Sequence, residues 1–294
     1  MSFKSGFISI TGKANVGKST LLNTILGQKI SIVSPRPNLT RKKILGIKNL
    51  PDAQLIFIDT PGIHRTRGLL NRLLVKEAID AGKDADIILF MVEAHMPVGS
   101  DDLYAIEAIR DVKVPIILAY NKIDLMKSDS LPDYQSIFPF TDSVVISASS
   151  VWGIPFLLEK LVAHLPEGPK YFPEDMVTDE LERSLAGEII REKIFEATEE
   201  EVPYACAVVV EEFSPREGKD LTFVSASIYV ERDSQKGIII GRGGRCLKKV
   251  GELARADIEA LIGQKVFLEL WVKVAKNWRK DPAALKRFGF VKKG

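Results

Sequence analysis

Residues Ile8–Leu22 read ISITGKANVGKSTLL: an apolar run, a glycine-bounded loop and the start of an apolar helical pattern. Within it, Gly12-Lys13-Ala14-Asn15-Val16-Gly17-Lys18-Ser19 fits G-x-x-x-x-G-K-[ST], between a strand and a helix as that pattern requires. The glycines let successive backbone N–H groups curl around an anionic phosphate at a helix N-terminus, with Thr20 next in the first turn. Lys18 would reach the β- and γ-phosphates of a nucleotide, and Ser19 would ligate Mg²⁺ through its hydroxyl.

Outward from this loop, apolar runs alternate with helical patterns through residue 165. Strands are predicted over 7–11, 43–48, 55–59, 87–92, 116–120 and 144–147, and helices over 18–26, 69–81, 100–110 and 155–164. Runs such as IILFMV and PIILAY are apolar throughout, the mark of strands covered on both faces of a mostly parallel sheet. The order is that of a doubly wound α/β domain, whose ligands collect along the edge carrying the strand C-termini.

Three short pieces at those strand ends select the nucleotide. Asp59-Thr60-Pro61-Gly62 closes LIFID, so Asp59 can reach the metal's water shell and the Gly62 N–H can meet a γ-phosphate. Asn121-Lys122-Ile123-Asp124 closes IILAY, and the Asp124 carboxylate can accept from guanine N1–H and the 2-amino group together. Adenine offers no such pair, and a buried site built for one rejects the analogue lacking it. Ser147-Ala148-Ser149 suits a backbone contact to guanine O6. Each piece alone is an ordinary turn; their order and their placement at strand ends are not.

Together these pieces resemble the unpermuted motif set of the translation-factor-like GTPases, over residues 7–165. The resemblance implies GTP and GDP as ligands with Mg²⁺, a P-loop GTPase domain, and a first switch at Asn38-Leu39-Thr40-Arg41 in which Thr40 closes onto the metal and the γ-phosphate. Lys18, Thr40 and Gly62 are then the hydrolytic residues, and Ser19, Thr40 and Asp59 the metal's neighbours. Ras-type enzymes place a glutamine directly after the glycine corresponding to Gly62; Ile63 stands there and can neither donate nor accept, which predicts slow intrinsic hydrolysis. Asn15 resembles the loop asparagine with which several such GTPases hold K⁺ in the place of an arginine finger.

The chain beyond 165 reads differently. LPEGPKYFPED breaks the pattern and predicts a linker, giving a nucleotide domain over 1–168, a linker over 169–178 and a second domain over 179–294. A helix is expected over 179–197, strands over 205–212 and 222–231, a short helix over 236–240, a tight turn Gly241-Arg242-Gly243-Gly244, a helix from Arg245 to about Ile262, and the strand VFLELWVKV. The glycines of this turn lack both the P-loop lysine spacing and the G-x-G-x-x-G register, and the stretch is read as following an acidic turn, 231–235, and not a strand. It matches instead the G-x-x-G of a KH module, which clamps about four single-stranded nucleotides. Gly241, Arg242, Gly243 and Gly244 would approach the ribose-phosphate. Ile238, Ile239 and Ile240 would give bases an apolar bed, and Lys248, Lys249, Lys276 and Arg279 would add charge. Trp278, Phe288 and Phe290 interleave with the basic tail in a way that also suits RNA, and core packing of Trp271 and some of these rings is the alternative. The order α-β-β-α-α-β is that of the prokaryotic-type KH arrangement, a smaller α+β domain.

Charge supports the division. Residues 171–235 carry 6 Lys/Arg against 17 Asp/Glu, and residues 236–294 carry 15 against 5, within a chain whose net charge is only +2. Such a basic surplus suits a polyanion, although a solvated basic face would carry the same count. A GTP switch followed by this KH arrangement resembles one family, the bacterial Era GTPases, over essentially the whole chain, including EVPYACAV (201–208) and QKGIIIGRGG (235–244). The family implies binding near the 3′ end of 16S ribosomal RNA, help in rRNA processing and 30S subunit assembly, and peripheral attachment to the inner membrane. Its first switch usually reads Gln or Asn, then Thr-Thr-Arg; here Leu39 precedes Thr40.

Two cysteines, Cys206 and Cys246, imply no disulfide framework, no apolar run reaches the ~18 residues of a membrane-spanning helix, and the N-terminus shows no signal-peptide pattern. These predict a cytoplasmic, monomeric protein. Two competing readings are a metabolic or tRNA-modifying GTPase, which requires cofactor motifs or catalytic cysteines after 170, and a membrane-surface GTPase that places the basic tail on anionic lipid.

Overall fold

The computed structural model describes residues 2–33, 40, 41, 43–65, 68–127, 130–178, 182–216 and 220–290. Asn38 and Leu39 of the first switch, residues 66 and 67 of the loop after Gly62, expected with the first switch to be ordered by GTP and Mg²⁺ over 60–67, and 179–181 at the start of the expected helix lie outside the described residues. The chain divides into two compact units, one of Met1–Arg67 with Asn71–Asp179 and one of Gly68–Leu70 with Glu180–Gly294.

The first unit is a six-stranded sheet. Its strands are β1 (Lys4–Thr11), β2 (Ile44–Asn49), β3 (Ala53–Asp59), β4 (Ile87–Glu93), β5 (Ile116–Asn121) and β6 (Asp142–Val145), in the order β2-β3-β1-β4-β5-β6. All neighbours pair in parallel except β2 with β3, whose tight connection forces an antiparallel edge. The helices are α1 (Lys18–Leu26), α2 (Leu69–Lys83), α3 (Ser100–Ile109) and α4 (Ile154–His164). Residues alternate between two cores. Leu55, Phe57, Leu89 and Met91 share one with Leu21, Leu22, Leu157 and Leu161, while Ile88, Phe90 and Val92 share the other with Val75, Ala78, Ile106 and Ile109. Covering on both faces explains the unbroken apolar runs of β3, β4 and β5.

The segment expected to be the linker, 169–178, is strapped to this sheet. Thr178 Oγ1 donates to Leu45 O at 2.6 Å, Val177 O accepts from Ile47 N at 2.7 Å, and the Gln54 side chain bonds the backbone of Tyr171 and Phe172. The bonds to Leu45 and Ile47 satisfy part of the outer edge of β2, which no further strand covers among the described residues.

The second unit is built from α5 (Glu182–Ala197), a single turn α6 (Val202–Ala205), β7 (Ala207–Pro215), β8 (Leu221–Val230), α7 (Asp233–Ile240), α8 (Arg245–Ile262), β9 (Lys265–Val274) and α9 (Pro282–Arg287). The sheet order is β7-β8-β9, antiparallel for the first pair and parallel for the second, with a register shift between Val210 and Glu212. One face of the sheet carries Val224, Ala226, Ile228, Val230, Val266 and Val272 into a core with Ile190, Ile194, Val250, Ala254 and Ile258 of α5 and α8. The expected acidic turn over 231–235 is shorter. β8 ends at Val230 and α7 begins at Asp233, where the Gln235 side chain accepts from the backbone of Glu231 and Arg232.

The tail corrects a second expectation. Trp278 is wholly buried, donates its indole N–H to Ala205 O at 2.9 Å, and stacks on Phe290; Phe288 lies against Tyr229. Trp278 and Phe288 are core and Phe290 is half-buried, and α9 starts on the Asp281 carboxylate, which caps Ala283 N. Neighbouring residues of α7 allow a direct test. Ile239 is completely buried while Ile238 is 50% exposed. Ile239→Ala is expected to cost the second unit about 2–5 kcal/mol in urea unfolding, and Ile238→Ala less than about 0.5 kcal/mol.

Candidate functional site

The loop between β1 and α1 closes around a buried ammonium. Lys18 lies in the first turn of α1, and its Nζ donates to Lys13 O at 2.8 Å and Gly12 O at 3.2 Å. Gly17 enters the helix at φ 101°, where a Cβ would collide with the Asn121 side-chain amide. Ala14, Asn15 and Val16 form the outer curl, and Asn15 holds a left-handed backbone at φ 65°. Thr20 is half-buried in the first helical turn.

Beside the lysine, oxygen atoms converge. Asp59 ends β3 wholly buried; its Oδ2 accepts from Ser19 Oγ at 2.6 Å and from Ser31 Oγ at 2.7 Å. Thr40 Oγ1 lies 3.0 Å from Ser19 Oγ, so the switch threonine reaches the loop serine in this structure. Asp59 Oδ1 is buried with no hydrogen-bond partner among the described residues. An orphaned carboxylate oxygen beside two hydroxyls is a donor set of hard oxygens, which fits Mg²⁺ held partly by protein and partly by phosphate. Ser31 was not legible as a site residue. It is placed by Asn23 of α1, whose Oδ1 accepts from Ile30 N and Ser31 N and whose Nδ2 donates to Ser31 O.

Burial moves both charges. Desolvation lowers the Lys18 pKa from its usual 10.5 to about 8, with the Asp59 charge opposing part of the fall. Desolvation raises Asp59, opposed by Ser19, Lys18 and Ser31.

Gly62 packs on the loop: a Cβ there would sit 2.7 Å from both N and Cα of Ala14. Ile63 follows with its N–H bonded to Gly12 O at 3.1 Å and its side chain in the core with Val75 and Phe90. Its apolar side chain is therefore committed to packing as well as unable to orient water.

The guanine-side loops are braced from within. Asn121 is buried; its Nδ2 donates to Val16 O at 2.7 Å, and its Oδ1 accepts from Ala148 N at 2.9 Å. Ser147 N donates to Trp152 O at 2.9 Å. Within Ser147-Ala148-Ser149, whose backbone is expected to contact guanine O6, the Ser147 and Ala148 N–H groups bond internally in this structure and brace the loop. Asp124 stands exposed in the single 3-10 turn after β5, with its carboxylate at the strand end. Lys122 Nζ donates to Asn15 O at 2.7 Å and pairs with Glu93, which also pairs with Lys13 at 3.4 Å. Partial burial pushes the Glu93 carboxyl up, but the bonds and charges of Lys122 and Lys13 bring it below the usual range. Glu93 was not singled out in the sequence.

In the second unit, α7 ends at the 3-10 turn Arg242–Gly244, and α8 starts at Arg245. Gly241, Gly243 and Gly244 all have positive φ, and Arg242 is exposed. A cleft of about 450 Å³ runs beside the turn, lined by Gly244, Leu247, Lys248, Gly251, Glu252 and Arg255 on one side and Phe267, Leu268 and Leu270 on the other. Lys249 and Lys276 are exposed, and Lys248 is mostly free in solvent with Glu252 at 3.9 Å. Two expectations are corrected. Ile239 is core, because helical phase turns it onto the sheet, and the apolar bed beside the turn is Leu247, Leu268 and Leu270. Ile240 is half-buried against the same core. Arg279 is tied to Glu231, its Nε donating to Oε2 at 2.9 Å, which fixes the tail.

A profile described as 50S ribosome-binding GTPase matches residues 7–122, and a KH-domain profile matches residues 201–279. GTPase Era of Syntrophus aciditrophicus is 49% identical over 292 residues, covering 98% of this chain and 95% of its own. The chain belongs to the Era family of GTPases. GTPase Era of Geobacter metallireducens is likewise 49% identical, with 98% of each chain covered. Among solved structures, an Aquifex aeolicus Era variant bound to GDP.AlF4⁻ is 40% identical, with a TM-score of 0.93 over 99% of this chain and all of its own. An Era complex with MgGDPNP and nucleotides 1506–1542 of 16S ribosomal RNA is 39% identical, with a TM-score of 0.92 over the same shares. Like its relatives, this Era-family chain is a GTPase with a C-terminal KH domain for binding RNA.

The Lys18 shift gives the nucleotide site a pH dependence. Between pH 8 and 10.5 the empty protein holds Lys18 neutral while the unfolded chain keeps it charged, so this group's contribution to folding stability improves as pH rises through that window. Phosphate binding needs the ammonium, so GDP affinity is expected to fall by up to about tenfold per pH unit above pH 8. Fluorescent-nucleotide titrations from pH 7 to 10 would measure it. A flat profile would mean that Lys18 stays charged in the empty site.

Proposed function

We propose that this GTPase couples its guanine-nucleotide state to a grip on the single-stranded 3′ end of 16S ribosomal RNA, and so assists rRNA processing and 30S subunit biogenesis. The observation that carries the reading is the glycine-turn cleft, which stands in the same chain as a cradle able to hold a guanine nucleotide. An Era relative bound to MgGDPNP with nucleotides 1506–1542 of 16S ribosomal RNA supports the choice of RNA.

In this reading the backbone of residues 12–19 and the Lys18 ammonium receive the α-, β- and γ-phosphates. Mg²⁺, when bound with the nucleotide, neutralises charge on the phosphate oxygens; Ser19, Thr40 and Asp59 would hold it. Asp124 reads the guanine N1–H and 2-amino group, while Asn121, Lys122, Ser147 and Ala148 keep that loop in register with the phosphate loop. Gly62 brings its N–H to the γ-phosphate. Loss of that phosphate removes what holds Thr40 and the residues around Gly62 in place, which is the order–disorder change of a GTP switch. With Ile63 buried, no side chain at that position aims the attacking water, so turnover is slow unless a cation or partner is added. K⁺ beside Asn15 is the proposed cation.

Arg242 and the turn glycines would clamp the ribose-phosphate, Lys248 and Lys249 would add charge, and Leu247, Leu268 and Leu270 would receive bases. The nucleotide domain is assigned to 1–168, the RNA domain to 179–294 and the strap between them to 169–178. The protein is placed in the cytoplasm as a monomer that works on the 30S subunit or its precursor, with peripheral contact of its basic residues to anionic lipid on the inner membrane.

Two measurements test this. RNA titrated in the GDP state and with a non-hydrolysable GTP analogue should give affinities about 5–150-fold apart, the usual range of coupling between sites. Equal affinities would reduce the chain to two independent modules. Single-turnover hydrolysis should run faster in potassium than in sodium at equal ionic strength, and equal rates would remove the potassium role.

A further inference from the structure

The RNA cleft takes Leu268 and Leu270 from the inner side of β9 and reaches its outer side only at Phe267. The other side of the sheet, away from the helices, carries Lys265, Phe267, Glu269, Trp271 and Lys273 on β9, opposite Leu221, Phe223, Ser225, Ser227 and Tyr229 on β8. The alternation is fixed because Val266 and Val272, with Val224, Ala226 and Ile228, fill the core on the inner face. Phe267 is 56% exposed and Trp271 is 55% exposed. The Phe267 ring stacks with Phe223 at 5.9 Å and 20°, and the Arg216 guanidinium sits 4.3 Å over Phe223. Beside Trp271, the Ser227 hydroxyl is buried with no partner among the described residues.

The far end of this face is closed. Phe288 covers Tyr229 at 4.6 Å, and the Arg287 guanidinium lies 5.3 Å from the same ring. What remains open is a strip of aromatic rings, with Arg216 at its rim, Lys265 paired with Glu259 at 3.4 Å, Lys273 at 4.0 Å from Glu211, and the carboxylates Glu212 and Glu269 beside it. β9 is the sheet edge, and an aromatic edge left exposed among the described residues is an association hazard that folded proteins ordinarily avoid.

We propose that this strip is a second RNA surface, on which bases of a single strand leaving the glycine-turn cleft stack against Phe267, Phe223 and Trp271. The proposal rests on the cleft's being the RNA site. Continuity carries it: Phe267 lines the cleft and also begins the outer strip, so a strand crossing β9 meets the next flat ring four residues on, at Trp271. The chemistry agrees. Aromatic faces accept any base, the Arg216 guanidinium beside Phe223 suits a phosphate, and Glu269 and Glu212 can accept from base amino groups.

The test uses labelled single-stranded RNAs cut from nucleotides 1506–1542 of 16S ribosomal RNA: a piece of about four nucleotides that fills the cleft, and pieces extended at either end to about ten. Trp271→Ala should leave the short RNA's affinity unchanged and remove on the order of tenfold or more from an extended one; Trp271→Phe should restore most of it. Because Trp271 is exposed, the melting temperature of either variant should match that of the parent. If Trp271→Ala binds both lengths like the parent, or if extension adds no affinity to the parent, the proposal falls. It also falls if Trp271→Ala weakens flotation with phosphatidylserine vesicles while RNA binding keeps its length dependence. Failure of the underlying reading looks different: Lys248→Glu with Lys249→Glu would then keep full affinity for the short RNA.

Discussion

A carboxylate sits at the end of a fully covered strand, and the nucleotide unit is arranged around the difficulty of keeping it there. Asp59 is shut off from bulk solvent, and its two oxygens are treated differently. One is satisfied by the hydroxyls of Ser19 and Ser31, while the other has no partner among the described residues. A buried acceptor without a partner is costly in the empty protein, so whatever supplies positive charge there gains affinity from relieving it. The neighbouring Lys18 is in the mirror situation, an ammonium stripped of water and held by loop carbonyls until phosphates arrive. The site stores unfavourable desolvation of both signs, which a metal–phosphate complex is suited to relieve.

Holding that arrangement is the work of residues that need not touch ligand. Asn121 spends its whole side chain joining the phosphate loop at Val16 to the third loop at Ala148. Glu93, at the end of β4, gathers Lys13 from the phosphate loop and Lys122 from the guanine loop. Asn23 clamps the chain at residues 30 and 31, just before the first switch. The bonds of Asn121 and Glu93 cross between segments far apart in sequence. The phosphate end and the base end of the site are therefore parts of one polar network, and polar networks of this kind fix geometry when every member is satisfied.

The second unit solves a different problem, the presentation of backbone at a glycine turn beside an apolar wall. The wall comes from α8 and β9, which are packed by Val250, Ala254, Ile258, Val266 and Val272. The tail then folds back with Trp278 and Phe288 as its anchors, using aromatics that by composition alone looked available for RNA. Packing claimed these rings and left Phe267 and Trp271 outside.

The sequence by itself determined the elements and the chemistry of the loops. Local patterns carry that information: unbroken apolar runs for strands covered on both faces, glycine-lysine-serine spacing at a helix start, and G-x-x-G between two helices. α1 and α8 begin and end where the pattern places them, because loop glycines punctuate both. Tertiary structure alone decided which side chains are spent on packing and which remain for ligand. That choice depends on helical phase and on partners distant in the chain, as with Ile239 turned inward, Arg279 tied to Glu231, the strap at 169–178 bonded to β2 and β3, and Ser31 and Glu93 recruited to the site. A motif fixes a local backbone and its donors; only the closed fold brings the remote carboxylates, hydroxyls and apolar walls that determine how those donors are used.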